Sequence, residues 1–433
     1  MAEKTSVRSS PDRETKVIPK EIKLGFWLLC TCFAMWGLAN NMTDVLIAQF
    51  RKVFTLTDVQ SGLVQTAFYG AYFCLALPAA LFIQRFSYKA GVLLGLGLFA
   101  AGALLFYPAA RTMQYFSFLV ALFVLAGGLS ILEASANPYI LTMGPEETAT
   151  RRLNIAQACN PLGSIAGVLI GKFYILSQLN PATDEERAAM AADTLARIQS
   201  DELYAVMVPY LNVAAIIVAI WILILNISMP AVKDTSTYSS GDTFSKVFRR
   251  IFKRSHFTKG IVAQFFYIGA QIGCWSWTIR YVMQEIGGTE EEASTYLLIS
   301  IVVFSAMRWV CVVLMKHIDP QYLLALLSGL AAVLSTVVMF FCGYLGTIAL
   351  VGISACMSLM FPTIFGLALR DLGPDSKFGG SFLIMAILGG AVITAIMGKI
   401  SDLFGISAAF IMPLVGFLYL VYYGTRGYEV KRG

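Results

Sequence analysis

Long runs of apolar residues recur along nearly the whole chain. A bilayer core about 30 Å thick needs roughly 20 apolar residues in each helix that crosses it. Twelve stretches approach or exceed that length, at about 24–50, 61–84, 90–109, 114–143, 153–178, 205–229, 258–283, 294–315, 321–343, 346–369, 379–400 and 404–423. We therefore predict an all-α membrane protein with twelve transmembrane helices.

The composition is incompatible with an ordinary soluble domain. Of the 433 residues, 58% are hydrophobic and 13% are charged, whereas a soluble domain has roughly 25% charged residues. The polar N-terminus does not resemble a cleavable signal peptide. The eight cysteines lie in apolar stretches without a CxxC or Cys/His cluster, so we expect no disulfide framework, metal site or cofactor.

Lysine and arginine predict the orientation of the chain. With the N-terminus inside, most of the 32 basic residues fall in cytoplasmic segments, as the positive-inside rule requires. We expect a multi-pass protein of the bacterial inner membrane with both termini in the cytoplasm. The predicted order is an N-terminal tail (1–23), a six-helix bundle (24–229), a cytoplasmic linker (230–257), a second six-helix bundle (258–424) and a C-terminal tail (425–433). A further long connection, about 179–204, is predicted as an acidic, amphipathic loop.

A weak internal repeat relates the two predicted bundles. The fourth span contains Asn137-Pro138 and is followed by Gly144-Pro145, and the tenth contains Phe361-Pro362 and is followed by Gly373-Pro374. Two parallel six-helix halves with a site between them are typical of secondary transporters. The alternative is chance, because glycine and proline are common in membrane helices.

Four charged residues stand out within the predicted spans: Asp44, Glu133, Arg280 and Arg308. A charge at the bilayer centre costs at least about 2.5–3.5 kcal/mol, so such a residue normally faces a cavity or a partner. Arg308 lies about mid-span and is either a counter-charge for an acid or a gating contact. Arg280 lies near a helix end, where it can also extend to the interface.

The two acids lie in different surroundings. Asn40, Asn41 and Asp44 share one face of the first helix, and Trp36 precedes them on roughly that face. Amides, a carboxylate and an indole suit the hydroxyls and the C–H face of a sugar, although Asp44 could instead meet water at the outer end. Glu133 has apolar or small neighbours, where a carboxyl can take up and release a proton during transport. The alternative is a structural carboxyl bonded to a neighbouring helix.

Two further helices carry polar stripes. The fifth span has Asn154, Gln157 and Asn160 at steps of three, followed by Pro161. Such a stripe faces either a cavity or another helix. The seventh span has amides and aromatic residues at steps of three or four, namely Gln264, Tyr267, Gln271, Trp275 and Thr278. This mixture suits a polyol, and an interfacial belt is the alternative for the tryptophan.

Several of these motifs resemble the fucose permease family of the major facilitator superfamily, over residues from about 24 to 424. They are Trp36-Gly-Leu-Ala-Asn40-Asn41-Met-Thr-Asp44, Leu132-Glu133-Ala-Ser-Ala-Asn137-Pro138, Leu153-Asn154-Ile-Ala-Gln157-Ala-Cys-Asn160, Gly273-Cys274-Trp275-Ser276 with Ile279-Arg280-Tyr281, and Pro362-Thr363-Ile364-Phe365. The resemblance implies two six-helix bundles and proton-driven uptake of L-fucose or a closely related monosaccharide. It also implies that Asp44 and Glu133 are the proton-linked acids and that Asn41, Gln157 and Asn160 belong to the cavity.

Two departures from the family leave the sugar open. Phe361 stands where a tyrosine is expected, and Pro161 stands where a small polar residue is usual. A sodium-coupled symporter of glucose, galactose or mannose is one alternative, since Asp44 with Asn40 and Asn41 could supply some oxygen ligands. A drug/proton antiporter fits the amide-rich stripes less well. We find no nucleophile–base pair that would indicate an enzyme, and we expect a functional monomer with no nucleic-acid partner.

Overall fold

The computed structural model describes residues 17–54, 56, 60, 63–178, 180, 182, 186–187, 189–229, 244–287, 289–341 and 343–430. Within helices, the side chains of 44–49, 51–52, 65, 172, 176, 244–245, 290–291 and 374 are outside this description. The sequence Thr57-Asp58-Val59-Gln60 predicts a helix N-cap before the second span, but residues 57–59 lie outside these ranges.

Within the described part of the chain, the helices form twelve spans. Seven are single helices: α1 (Lys23–Val53), α2 (Leu63–Arg85), α4 (Tyr115–Thr142), α6 (Ala192–Asn226), α7 (Ser255–Glu285), α8 (Glu290–Leu314) and α9 (Pro320–Phe340). The other five are interrupted: α3 (Tyr88–Leu104 and Phe106–Thr112), α5 (Ala149–Gln157 and Asn160–Ile170), α10 (Tyr344–Met357 and Met360–Ala368), α11 (Ser376–Met385 and Gly389–Phe404) and α12 (Ile406–Ala409 and Ile411–Tyr422).

The all-α prediction is confirmed, and one span differs from expectation in its hydropathy. Eleven spans are long and apolar enough to cross a membrane. The remaining span, α7, has 31 residues, but its glutamines and tryptophans lower its mean hydropathy. A membrane helix with such a polar stripe has to bury it against protein or a water-filled cavity.

The connection before α6 is more ordered than predicted. Instead of a loop over 179–204, α6 begins at Ala192. The Arg187 guanidinium makes a buried ion pair with Glu202, with Nη1 and Oε2 3.0 Å apart. Gln199 donates to the carbonyl oxygen of Val53 at 2.7 Å. The segment therefore packs onto the end of α1, because its charges find partners within the protein rather than in water.

Basic residues close the ends of two helices at the side of the bundle where α1 begins and α12 ends, which we call the terminal end. Arg152 donates to the carbonyl oxygens of Ile140 and Leu141, at 2.8 and 2.7 Å, near the end of α4. Lys89 donates to the carbonyl oxygen of Ile227, at 2.7 Å, after the end of α6. Cations are favourable at these positions because helix C-termini carry partial negative charge.

The first six and the last six helices form two groups that meet at the terminal end. The first segment of α11 packs against α2 and α4, and the second segment of α10 packs against the first segment of α5. Lys377 lies over the ring of Tyr88, with Nζ 5.6 Å from the ring centroid. A linker helix (Phe244–Phe252) lies outside the spans, within the segment that was predicted to connect the bundles. Its Arg250 pairs with Asp375, at 2.6 Å, just before α11.

Helices α1 and α5 approach each other closely through glycines. A Cβ atom added at Gly163 would overlap the carbonyl oxygen of Ala34, and one added at Gly37 would overlap the carbonyl oxygen of Asn160. Small residues let membrane helices pack backbone to backbone. This contact brings the two helices that carry most of the predicted amide residues of the first half side by side.

We predict that Gly163→Ala destabilises the protein by about 1–3 kcal/mol, because overpacking forces the two backbones apart. Gly398→Ala is the matched control, since its new Cβ would lie 3.6 Å from Trp277, an ordinary contact distance. The measurement is thermal unfolding of the detergent-solubilised protein. Equal melting temperatures for the two variants would contradict the close approach of α1 and α5.

Candidate functional site

Glu133 lies near the middle of α4 and is only 2% exposed. Neither of its carboxyl oxygens makes a hydrogen bond of normal geometry among the described residues. The carboxyl interacts with the amide of Asn137, one turn along the same helix, although the buried Nδ2 atom of Asn137 also lacks a hydrogen bond of normal geometry. Buried polar groups are rarely left unpaired, so a group of this kind calls for an explanation such as a role in binding or proton transfer.

Helix α2 faces this carboxyl with a tyrosine that the sequence analysis did not predict. Tyr72 accepts a hydrogen bond from the indole Nε1 of Trp36, at 2.5 Å. Its carbonyl oxygen accepts from Ser130, one turn before Glu133, at 3.1 Å. In the sequence, Tyr72 is only one hydroxyl-bearing residue inside an apolar span. Many tyrosines in membrane helices share this feature, so it does not indicate a functional role. The contact joins the predicted sugar-binding indole of α1 to the helix that carries Glu133.

The predicted amides of α1 are partly exposed. Asn40 is half-buried, and Asn41 donates back to the carbonyl oxygen of Gly37 in its own helix, at 3.0 Å. Asp44 lies on the same helix, but its side chain is outside the described part of the structure. The shared face that was predicted for these residues is compatible with the helical course of α1 from Lys23 to Val53.

The three amides of α5 all bond to other helices. Gln157 donates to Oδ1 of Asn137 at 2.8 Å, Asn154 to the hydroxyl of Thr363 at 3.2 Å, and Asn160 to the carbonyl oxygen of Phe33 at 3.2 Å. In this state they therefore hold helices together, which was the alternative left open for this stripe. Their contact with a sugar stays a prediction.

The polar stripe of α7 is split between buried and half-buried groups. Gln264 is fully buried, and neither atom of its amide has a partner among the described residues. Gln271 and Trp275 are half-buried. The indole of Trp275 donates to the hydroxyl of Ser354 at 3.1 Å, so it joins α7 to α10.

Aromatic rings lie beside this stripe where the tenth span bends. Phe361 is 6% exposed, and its ring centroid lies 6.4 Å from that of Tyr267. The Tyr267 hydroxyl donates to the carbonyl oxygen of Met357 at 3.2 Å. Phe361 contributes an apolar ring surface but no side-chain hydrogen bond. The tyrosine expected at this position would add a hydroxyl group, so the two side chains differ in what they can recognise.

The two arginines occupy different environments. Arg308 is 4% exposed and lies over the ring of Phe304, with Cζ 4.6 Å from the centroid. It donates to the carbonyl oxygens of Ser358 and Gln157, which belong to different halves of the molecule. Arg280 is exposed and packs over Trp277 at 5.3 Å. Only Arg308 contacts the polar groups of the interior.

A separate cleft of about 430 Å³ lies between the halves at the terminal end. Both halves contribute acidic residues to its lining, namely Glu146, Glu147, Asp319 and Asp371, together with Arg370. Neither Glu133 nor any residue predicted to bind sugar lines it. The cleft is thus distinct from the central group of polar residues.

The chain is similar to known membrane transporters. Residues 27–379 match the profile of the Major Facilitator Superfamily. The chain is 40% identical to an L-fucose-proton symporter of Escherichia coli, over 90% of both chains, and 38% identical to an L-fucose-proton symporter of Haemophilus influenzae, over 96% of this chain and 99% of the relative. It is 33% identical to a glucose/galactose transporter of Brucella abortus, over 92% of this chain and 93% of the relative.

Solved structures agree with the sequence relatives. The crystal structure of the major facilitator superfamily transporter FucP in the outward conformation superposes with a TM-score of 0.88. The sequences are 38% identical, and the match covers 94% of this chain and 99% of that one. At this identity and coverage, the likeness extends to the arrangement of both halves.

We predict that Gln157→Leu lowers the free energy of unfolding by about 1–3 kcal/mol, because the buried Oδ1 of Asn137 loses its donor. Gln271→Leu is the control, since Gln271 is half-buried and makes no hydrogen bond among the described residues. Thermal unfolding in detergent measures both effects. A loss for Gln271→Leu as large as that for Gln157→Leu would argue against the Gln157–Asn137 contact.

Proposed function

The chain belongs to the major facilitator superfamily, and on this premise we propose that it imports L-fucose, or a closely related monosaccharide, together with protons. Its two six-helix bundles would move against each other and expose a central site to each side of the membrane in turn. The protein would act in the bacterial inner membrane, and the proton gradient would drive the transport.

The observation that carries the proposal is the environment of Glu133. The carboxyl is buried in a membrane helix, makes no hydrogen bond of normal geometry among the described residues, and interacts with the amide of Asn137 one turn away. Such a group changes its hydration and its partners strongly when it gains or loses a proton. The two L-fucose-proton symporters among the relatives support the same assignment.

Sugar recognition is proposed for half-buried groups of α1, α5 and α7. Asn40, Asn41, Asn160 and Gln271 supply amides, and Trp36 and Trp275 supply indole rings. Amides donate and accept hydrogen bonds, as sugar hydroxyls require. The contacts that Asn160 and both indoles make in this structure would be exchanged for contacts with the sugar, so binding and helix packing would be linked.

A second candidate function is transport of glucose or galactose. The 33% identical Brucella abortus transporter favours it. The higher identity to the two L-fucose-proton symporters places L-fucose first. Coupling to sodium instead of protons belongs to this second candidate.

We expect proteoliposomes containing the wild type to accumulate radiolabelled L-fucose when an inward proton gradient is imposed. Asp44→Asn and Glu133→Gln should each abolish gradient-driven accumulation, because an amide cannot take up and release the coupled proton. At least one of the two should still exchange or bind the sugar. Asp402→Asn and Glu285→Gln are matched controls in α11 and α7, outside the proposed site.

The outcomes separate the candidates. Uptake by the wild type that persists unchanged after the gradient is collapsed would contradict proton coupling. Uptake of glucose or galactose without uptake of L-fucose, with protons or with sodium, would establish the second candidate. No uptake of any of these sugars would refute the proposed substrate class and leave only the fold.

The proposed orientation has both termini in the cytoplasm, as the positive-inside rule predicts. The contacts between the halves at the terminal end would then close the inner side, and this state would face outward. A green fluorescent protein fused after Gly433 should be fluorescent in intact cells, whereas alkaline phosphatase at the same place should be inactive. An active phosphatase would reverse the orientation and the assignment of the closed side.

A further inference from the structure

Arg308 carries a positive charge inside the bundle, and no carboxylate of the described residues forms an ion pair with it. Its guanidinium instead donates to two backbone carbonyls. Nε lies 2.5 Å from the carbonyl oxygen of Ser358, and Nη1 lies 2.9 Å from the carbonyl oxygen of Gln157. A buried charge is retained at such a place only where these contacts compensate for its lost hydration.

Both carbonyls lack their usual helical donor for the same reason. In an α-helix the N–H of residue i+4 bonds to the carbonyl of residue i. For Gln157 that position is Pro161, and for Ser358 it is Pro362. Proline has no N–H, so each carbonyl is left open. The helices are interrupted at these places: the first segment of α5 ends at Gln157, and that of α10 ends at Met357.

The two carbonyls lie in different halves of the molecule. Arg308 is on α8 and Ser358 follows the first segment of α10, so that bond lies within the second half. Gln157 is on α5, in the first half. The planar guanidinium of Arg308 can donate in several fixed directions. It donates to one carbonyl oxygen in each half, and in both cases a proline has removed the usual helical donor of that carbonyl.

We propose that Arg308 is a clamp that joins the two halves in this state, and that its bond to Gln157 is broken when the terminal end opens. The inference rests on the proposed function, because a clamp between halves has a role only if the halves move. The Ser358 bond holds the guanidinium in place while the halves separate. The Gln157 bond exists only while they are closed.

The clamp also reaches the proposed proton site. Gln157, whose carbonyl Arg308 holds, donates its side-chain amide to Asn137, and Asn137 lies one turn from Glu133. Closure of the halves thus sets the position of Gln157 and, through it, the orientation of the Asn137 amide. Arg308 is accordingly a positioning residue for the carboxyl that carries the proton.

Hydrogen–deuterium exchange of the purified full-length protein, without sugar or gradient, tests the clamp. Arg308→Lys should speed exchange by about 10–100-fold in the segments Ala149–Gln157 and Met360–Ala368, because one ammonium cannot bond both carbonyls as the fork does. Arg111→Lys is the matched control, since Arg111 is exposed and lies over Tyr107 in α3. It should leave exchange unchanged.

A second variant keeps Arg308 and changes its acceptor. Pro161→Ala restores an N–H that can fill the Gln157 carbonyl, so the cross-half bond should weaken and exchange in the same two segments should rise. Pro209→Ala is its control, because Pro209 lies inside α6, which packs on helices of its own half. Unchanged exchange in both Arg308→Lys and Pro161→Ala would overturn the clamp. So would an increase spread over all helices, which would indicate general loss of stability.

The positioning role has its own readout. The pH profile of L-fucose exchange across the liposome membrane should shift in Arg308→Lys and stay at the wild-type position in Arg111→Lys. If Arg308→Lys speeds hydrogen exchange but leaves the pH profile unshifted, Arg308 does not position Glu133. The hydrogen-exchange experiment uses no substrate, so it can support the clamp even if the wild type transports none of the sugars. Failure of the clamp and failure of the proposed function can therefore be distinguished.

Discussion

A bilayer offers no hydrogen-bond partner to a backbone carbonyl that its own helix leaves open, and this constraint organises the interior of the protein. Prolines open such carbonyls in the helices that meet between the halves. Pro161 and Pro362 release those of Gln157 and Ser358, and Arg308 fills both. Pro138 lies in α4, where Gly380 of α11 comes so close that an added Cβ would be 3.0 Å from the proline ring.

These interruptions and the candidate site occupy the same region for a physical reason. A helix that loses a backbone hydrogen bond bends, and its open carbonyl needs a donor from elsewhere. Arg308 supplies that donor at two of the bends, and Tyr267 donates to the neighbouring carbonyl oxygen of Met357. The amides of α5 bond to other helices in this state, so contact of Gln157 and Asn160 with the proposed sugar would require these bonds to be exchanged when the halves move.

Sequence reasoning recovered much of this arrangement. The twelve spans and the unusual position of Glu133 followed from local patterns, and the superfamily followed from the resemblance of several motifs to one of its families. It was wrong about the segment before α6, which it treated as a loop until residue 205. There the charges of Arg187 and Glu202 satisfy each other inside the protein, and a pattern of isolated charges does not reveal such pairing. It also did not predict Tyr72, because one hydroxyl in an apolar span carries little signal.

The sequence by itself determined which segments cross the membrane, because helix length and apolar content are properties of each segment alone. It also determined that a few charged and amide side chains must avoid lipid. Only the tertiary structure decided what those side chains contact: that the α5 amides bond to neighbouring helices, and that Arg308 meets carbonyls from both halves instead of an acid. Partner choice depends on distances between segments far apart in the chain, and helical periodicity contains no information about them.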